Sequence, residues 1–392
     1  VYDVSGYPDQ GLQFAKAALQ QLSPSLVSPY SLAEYHYHDT LRRTGQGETA
    51  HASAQKKLEG RQWDKPDARS LRLLMAIGMY HHAKGNVAGA LATSRTLLDQ
   101  AHKAKNPVSL GWALYGFGWG HYELNELDKA EHNLLEVLEK RFHVHSRAAV
   151  ECYVGLALTY IAKGKEEAAT STAQELREFL LDRGMAGQFL LTDALELRQS
   201  LSDAAFVPTP GKVDLLTDQV LQMPITELWS APILMVTRAH LRLGRPKNVN
   251  AALNLLSGYR GAVQAIHSTR KLIELNAMET LVYAARGDMD AALSSLKQAI
   301  VLGEPGGMLR SFIDLGPGLL PFLRQLSSEG IAPEYVARLL TALSIEEAAM
   351  QSQVSMISQT TGQILLSYDS TIRASLTNRE LDVLILLSKR LT

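Results

Sequence analysis

Four aromatic residues in one stretch of the chain are spaced for contact with a ligand. Trp112, Tyr115, Trp119 and Tyr122 recur at steps of three or four residues, which is the spacing of one face of an α-helix. Rigid rings offer stacking and CH–π surface at low entropic cost, which suits a sugar, an aromatic compound or another apolar molecule. The same spacing is typical of rings that only pack between helices, so the sequence leaves both interpretations open.

Other residues that could do chemistry give weaker patterns. The neighbouring histidines lack the i, i+4 spacing with which one helix chelates a metal, and His81 and His121 are better explained by packing between repeats. Cys152 has no histidine in a nucleophile-like local motif and is interpreted as a small buried residue. No paired-carboxylate or Gly-x-Ser-x-Gly pattern is present, so we predict a protein that is not an enzyme and has no metal site.

Composition excludes several classes of partner. The 392 residues carry 39 Lys and Arg against 40 Asp and Glu, so no global field draws the chain to nucleic acid or to an anionic membrane. One cysteine rules out an internal disulfide framework, and no apolar run has the roughly 18 residues of a membrane span. These features predict a cytoplasmic protein, and a start at Val1 predicts that the chain is a fragment of a longer one.

A repeat of about 40 residues organises the chain. Its markers are residues that tolerate the left-handed backbone between two helices, namely Gly6, Gly45, Gly85, Asn125, Gly164, Gly244 and Gly287. Mostly small residues follow five positions later, as at Ala50, Ala90 and Ala130, where two helices must approach closely. The double interval after Gly164 predicts one degenerate unit, whose turn around 200–211 contains Pro208 and Pro210.

The fold prediction is therefore all-α: a right-handed superhelical solenoid of helix hairpins that resemble tetratricopeptide units. We assign residues 1–303 to the solenoid and 304–343, with helices near 318–328 and 333–343, to a C-terminal helical cap. Residues 344–375, rich in Ser, Thr and Gln, are predicted to be a linker. Residues 376–392 begin another helix, because Thr377 and Glu380 form a capping box.

Two segments carry a more specific resemblance. The run from Leu376 to Leu387 resembles the opening of a LuxR-type helix-turn-helix domain, although Arg390 stands where that family usually has glycine. The segment Gly306–Gly316 has the pattern Gly-Gly-x-x-Arg-x-Phe-x-Asp-x-Gly. With the repeats, both segments resemble the sensor region of a MalT-like regulator, a large LuxR-family protein with an ATPase module, a tetratricopeptide-like sensor and a DNA-binding domain.

The resemblance implies a sensor that binds an inducer and relieves an inhibited state, so that the ATP-bound protein oligomerises and activates transcription. No phosphate-binding loop occurs in this sequence, so we expect no cofactor here and assign ATP only to the absent ATPase module. The recognition helix is also absent, so we expect no DNA binding. The expected partners are a small-molecule effector and the other domains of the regulator; no membrane is expected, and self-association stays open.

Counting back from each repeat marker gives the residues expected on the concave surface of such hairpins. The count from Asn125 returns the four aromatic residues, which we call the aromatic strip. The counts from the other markers add Met75, Met79, His82, Tyr35, Arg42, Glu151, Val154 and Leu158. The charged residues Arg42, Arg72, Asp39 and Glu151 are expected at the edges of this groove. The favoured hypothesis is a small-molecule inducer in this groove; the alternative is a tetratricopeptide scaffold that binds a protein or peptide partner.

Overall fold

The computed structural model describes residues 8–61, 64–203, 205–222, 229 and 232–348. Every regular element within these ranges is helical, and no helix among them is long and apolar enough to cross a membrane. The chain divides into two compact units, residues 1–339 and 340–392. Residues 349–375 of the predicted linker and the whole predicted LuxR-type segment 376–392 lie outside the described residues. The sites below and all helices but the last, which covers 333–348, lie within the first unit.

Consecutive helices of this unit pair as hairpins. After α1 (Pro8–Gln21) come α2 (Val27–Leu41) with α3 (Gly47–Leu58), α4 (Ala68–Lys84) with α5 (Val87–Lys103), α6 (Pro107–Glu123) with α7 (Leu127–Glu139), α8 (Ser146–Ala162) with α9 (Glu166–Asp182), α10 (Leu190–Ser200) with α11 (Pro210–Gln222), α12 (Pro232–Leu243) with α13 (Pro246–Ala265), and α14 (Thr269–Arg286) with α15 (Met289–Gly303). The short α16 (Arg310–Ile313) and α17 (Leu320–Ser328) follow, and a last helix, α18, covers 333–348. The predicted helical repeat is confirmed.

The turns within the hairpins lie at the predicted markers. Gly45, Gly85, Asn125, Gly164, Gly244 and Gly287 all have positive φ, whereas Gly6 lies outside the described residues. At Gly85 the backbone N–H groups of residues 85 and 86 donate to the last turn of α4, and the Asn86 side chain accepts from Gly89 N at 2.9 Å. One two-residue turn thereby ends a helix and caps the next one. Between α10 and α11 the turn is longer, over 201–209, as its prolines predicted.

Helix α6 is held closely by its neighbours. An added Cβ would lie 2.8 Å from Val144 at Gly111, 2.2 Å from Ser94 at Gly116, 2.4 Å from Leu134 at Gly118 and 2.7 Å from Leu91 at Gly120. Each glycine inside a helix destabilises that helix by about 1 kcal/mol relative to alanine. Packing against α5, α7 and the turn before α8 offsets this cost, so the glycines serve approach by neighbouring helices.

The segment after α15 folds back onto the second and third hairpins. Leu309 N donates to Glu123 O at 2.8 Å, at the end of α6. Arg310 Nη1 donates to the side-chain oxygen of Asn125 at 3.2 Å, in the turn that follows. Helix α14 packs against α4 as well. The predicted cap thus begins by docking on turns formed much earlier in the chain, and the inner face of α6 is covered.

Candidate functional site

The aromatic strip lies on this covered face. Trp119 is fully buried, Tyr115 is 3% exposed and Tyr122 is 2% exposed, while Trp112 is half-buried. Tyr115 and Tyr122 face Trp229, and Tyr122 also contacts Asp314 of the folded-back segment, instead of an open groove. Both interpretations of the spacing therefore apply to the same helix face: the rings pack against other elements, and they also border two cavities.

A layer of rings separates these cavities. The Trp229 ring lies 6.2 Å from that of Tyr115 and 5.1 Å from that of Tyr122, both edge-on. The ring of His82 lies 4.4 Å from Trp119, and His82 Nε2 is 3.1 Å from the Tyr115 hydroxyl. Burial lowers the pKa of His82 well below its usual value, so the imidazole is neutral and can accept this hydrogen bond.

The first cavity, which we call the tryptophan cavity, has a volume of about 30 Å³. Its wall brings together seven of the predicted site residues: Tyr35, Met75, Met79, His82, Trp112, Tyr115 and Trp119. This volume holds two or three waters at roughly 10–15 Å³ each. Several wall residues, Tyr35, Met75, Met79 and Trp112, are only half-buried, so the outer wall is made of side chains that can repack.

The second cavity, which we call the arginine cavity, has a volume of about 90 Å³. Of the predicted residues it contains Tyr122 and Leu158. Its polar wall contains Arg198 on α10, Arg238 on α12 and Asp314 after α16, and Trp229 forms part of its apolar wall. The other polar wall residues are Glu123, Glu274 and Ser311. The backbone oxygen of Asp314 accepts from Arg198 Nη2 at 2.9 Å and from Arg238 Nη1 at 2.6 Å.

The remaining predicted residues border neither cavity. Arg42 pairs with Asp39 at 2.6 Å, and both are buried instead of lying at an exposed edge. Glu151 is buried, accepts from Trp229 N at 2.9 Å and lies 3.2 Å from Arg147. Val154 is buried. Arg72 donates to Ser31 and to the backbone of Ser28. These side chains therefore hold the hairpins and Trp229 in place.

Sequence reasoning missed the charged residues that cover the strip. Arg270 and Lys271 on α14 are fully buried, and both pair with Glu274; Lys271 Nζ lies 3.1 Å from it. Charged residues at the start of a helix ordinarily indicate a solvated turn, so no sequence signal marked them. Asp314 had a signal, because it belongs to the Gly306–Gly316 pattern. Its carboxylate accepts from the Tyr122 hydroxyl at 2.6 Å and from Arg310.

Burial shifts the protonation of this interior. Desolvation, followed by the nearby charge of Glu274, raises the pKa of Glu123 to about 8. Desolvation, followed by the charge of Arg270, lowers the pKa of Lys271 to about 8. Glu123 is thus mostly protonated at neutral pH. Its carboxyl group lies 3.2 Å from the Ser311 hydroxyl, so it also ties α6 to α16.

Comparison with known proteins assigns the chain to the family that the sequence resembles. A family model described as the MalT-like TPR region matches residues 4–329. A solved structure, the Rap protein complexed with competence and sporulation factor, superposes with a TM-score of 0.60 at 12% identity, covering 89% of this chain and 96% of that one. At this identity the likeness shows a shared fold alone. No curated protein sequence matches.

Proposed function

This chain belongs to the MalT-like TPR family, and from that premise we propose that it is the effector-sensing domain of a MalT-like, LuxR-family transcription regulator. In this proposal a small-molecule inducer binds on the inner surface of the hairpin array. The other domains of the regulator are the partners that receive the signal.

The tryptophan cavity is the observation that carries the proposal. Four tyrosine and tryptophan rings and two methionines meet there, on helices from three different hairpins. Pockets for drug-sized ligands measure roughly 300–1,000 Å³, so an inducer must enlarge the cavity. Methionine side chains are unbranched and adaptable, which makes Met75 and Met79 suitable for such repacking. A site that opens only when it is filled couples binding to a change of structure.

His82 connects the tryptophan cavity to α14, one of the elements that cover the aromatic strip. It borders the cavity and contacts Tyr115 and Trp119. It also lies close enough to Arg270 and Lys271 for their charges to lower its pKa. A ligand that moves the His82 ring therefore acts on the start of α14. We propose that the closed arrangement is the inhibited state and that the inducer loosens it.

The experiment begins with a thermal-shift and tryptophan-fluorescence screen of sugars and of aromatic and aliphatic metabolites against the whole chain. The compound with the largest shift is then titrated into Trp112→Ala and into Phe117→Ala. Phe117 is the matched control, because it is a half-buried ring of the same helix that stacks on His121, away from the cavity. We expect Trp112→Ala to weaken binding by about tenfold or more, about 1.4 kcal/mol, and Phe117→Ala to leave it within about twofold.

Equal affinity of the wild type and Trp112→Ala would overturn the site assignment. A screen without any hit, together with recovery of one stoichiometric protein or peptide partner, would instead support the scaffold alternative.

A further inference from the structure

The arginine cavity contains positive charge that its own wall does not balance. Arg198 and Arg238 converge on the backbone oxygen of Asp314, and a carbonyl dipole compensates a guanidinium only in part. Arg198 Nη2 is 3.5 Å from the Asp314 carboxylate. For Arg238, the described part of the chain places no carboxylate within ion-pair distance. Desolvation, followed by the charge of Arg198, lowers the pKa of Arg238 well below its usual value, and the charge of Asp314 opposes this shift only in part.

The three carboxyl groups in the wall are already engaged or neutral. Asp314 accepts from Arg310 and from the Tyr122 hydroxyl. Glu274 pairs with Arg270 and Lys271 behind the wall. Glu123, with its pKa of about 8, is mostly protonated at neutral pH. Asp314, which also lies 3.5 Å from Arg198, is thus shared among several arginines. The two ionised carboxylates face five cations in and directly behind the wall, namely Arg198, Arg238, Arg310, Arg270 and Lys271. A bound anion would therefore meet a net positive surrounding.

Apart from Ser311, the rest of the wall is apolar and indicates what the remainder of that anion should be. Leu158, Leu234, Met235 and Met278 border the space together with the rings of Tyr122 and Trp229. The 90 Å³ volume corresponds to about six to nine waters. A free phosphate would meet the arginines and leave the apolar wall unfilled. A carboxylate on a small ring or short chain matches both the arginines and the apolar side of the wall. Guanidinium groups bind carboxylates with two parallel hydrogen bonds, and the ring or chain contacts the apolar side chains.

We propose that the arginine cavity is a binding site for a small carboxylate with an apolar or aromatic body, with Arg198 and Arg238 holding the carboxylate. The site shares no wall residue with the tryptophan cavity. It is therefore a different site from the proposed inducer site.

Benzoate is the probe, tested on the whole chain by thermal shift and calorimetry. Benzamide is the neutral isostere and inorganic phosphate is the anion without an apolar body. We expect millimolar benzoate to raise the melting temperature in a saturable way, benzamide to have no effect and phosphate to have a smaller one. Equal stabilisation by benzoate and benzamide, equal stabilisation by benzoate and phosphate, or no response to millimolar benzoate overturns the proposal. This comparison needs only the wild type.

Arg238→Gln should weaken benzoate binding by about tenfold or more, while Arg238→Lys, which keeps the charge and loses the fork, should lie between it and the wild type. Arg242→Gln is the matched control for net charge, because Arg242 lies on the same helix and donates to Leu201 O outside the cavity. Unchanged benzoate affinity in Arg238→Gln, or an equal loss in Arg242→Gln, contradicts the assignment. Either result would leave the tryptophan-cavity proposal untouched.

Discussion

Gly306 packs directly on the backbone of Gly85. A Cβ at Gly306 would lie 1.8 Å from the Gly85 carbonyl oxygen and 2.8 Å from its carbonyl carbon. Gly85 is itself the left-handed residue that ends α4, with φ 68°. The first glycine of the Gly306–Gly316 pattern is thus required by a turn near the other end of the unit. It lets the folded-back segment reach that turn, and Arg310 then reaches the next one at Asn125.

Gly306→Ala should therefore weaken the packing of segment 304–316 on the turn at Gly85. The new methyl group meets backbone atoms that cannot rotate away, so segment 304–316 must shift, at a cost of about 1–3 kcal/mol or more. A lower melting temperature in thermal denaturation would show this. Gly258→Ala is the control, because this exposed glycine of α13 has open space around its Cβ position. It should keep or raise stability, by up to about 1 kcal/mol, and equal losses in both variants would contradict the contact.

Tyr122→Phe should destabilise the unit through the loss of one hydrogen bond. The Tyr122 hydroxyl donates to the Asp314 carboxylate at 2.6 Å, and hydrogen bonds to charged groups contribute about 1.5–3 kcal/mol. Urea denaturation of the variant measures the loss. Tyr153→Phe is matched to it, since Tyr153 is also buried and its hydroxyl has no hydrogen-bond partner among the residues the structure describes. A loss in Tyr122→Phe no larger than in Tyr153→Phe would argue against the Asp314 contact as a stabilising link.

Glu123 should make stability depend on pH in a defined direction. Its pKa in the folded chain is about 8 against 4.5 in the unfolded one, so its favourable contribution is fully present below pH 4.5 and lost as pH rises through 8. The loss is on the order of 1 kcal/mol per pH unit. The stability of Glu123→Gln relative to the wild type should therefore increase as the pH rises from about 5 to about 7.5. This range lies below the pKa of about 8 of Lys271.

The measurement is the difference in melting temperature between the two proteins across that range. Gln keeps an oxygen that can accept from the Ser311 hydroxyl, so the comparison isolates the charge. A difference that does not change with pH would show that Glu123 is ionised in the folded chain.

Gly155→Ala should displace Trp229 from the layer between the two cavities. A Cβ at Gly155 would lie 2.1 Å from the Trp229 ring, and this ring is 6% exposed in the native arrangement. We expect a red-shifted tryptophan emission, because the indole moves toward water. Gly261→Ala, on the exposed side of α13 with no atom near its Cβ position, should leave the spectrum unchanged. An unshifted spectrum in Gly155→Ala would place Trp229 elsewhere.

The helix hairpins could be predicted from the sequence because they depend on local residue types and spacing. Gly45, Gly85 and Asn125 mark turns because only a few residue types adopt positive φ at low cost. The i, i+3, i+7 spacing of Trp112, Tyr115 and Trp119 placed them on one helix face, because side-chain direction follows from the helical period. The family resemblance also came from local patterns, and the match over residues 4–329 confirms it. The hand of the superhelix, the domain boundaries and the site assignment stay predictions.

The tertiary structure alone decided what the aromatic strip faces. Tyr122 meets Asp314, and Glu123 meets Ser311, across almost two hundred residues, a separation of 192 and 188 respectively. No helical period links such positions, because their contact depends on how every intervening hairpin is stacked. The sequence therefore determined the helices, their turns and the face that carries the rings. The stacking determined that this face is covered, that it borders two cavities, and that buried and half-buried charged residues line one of them.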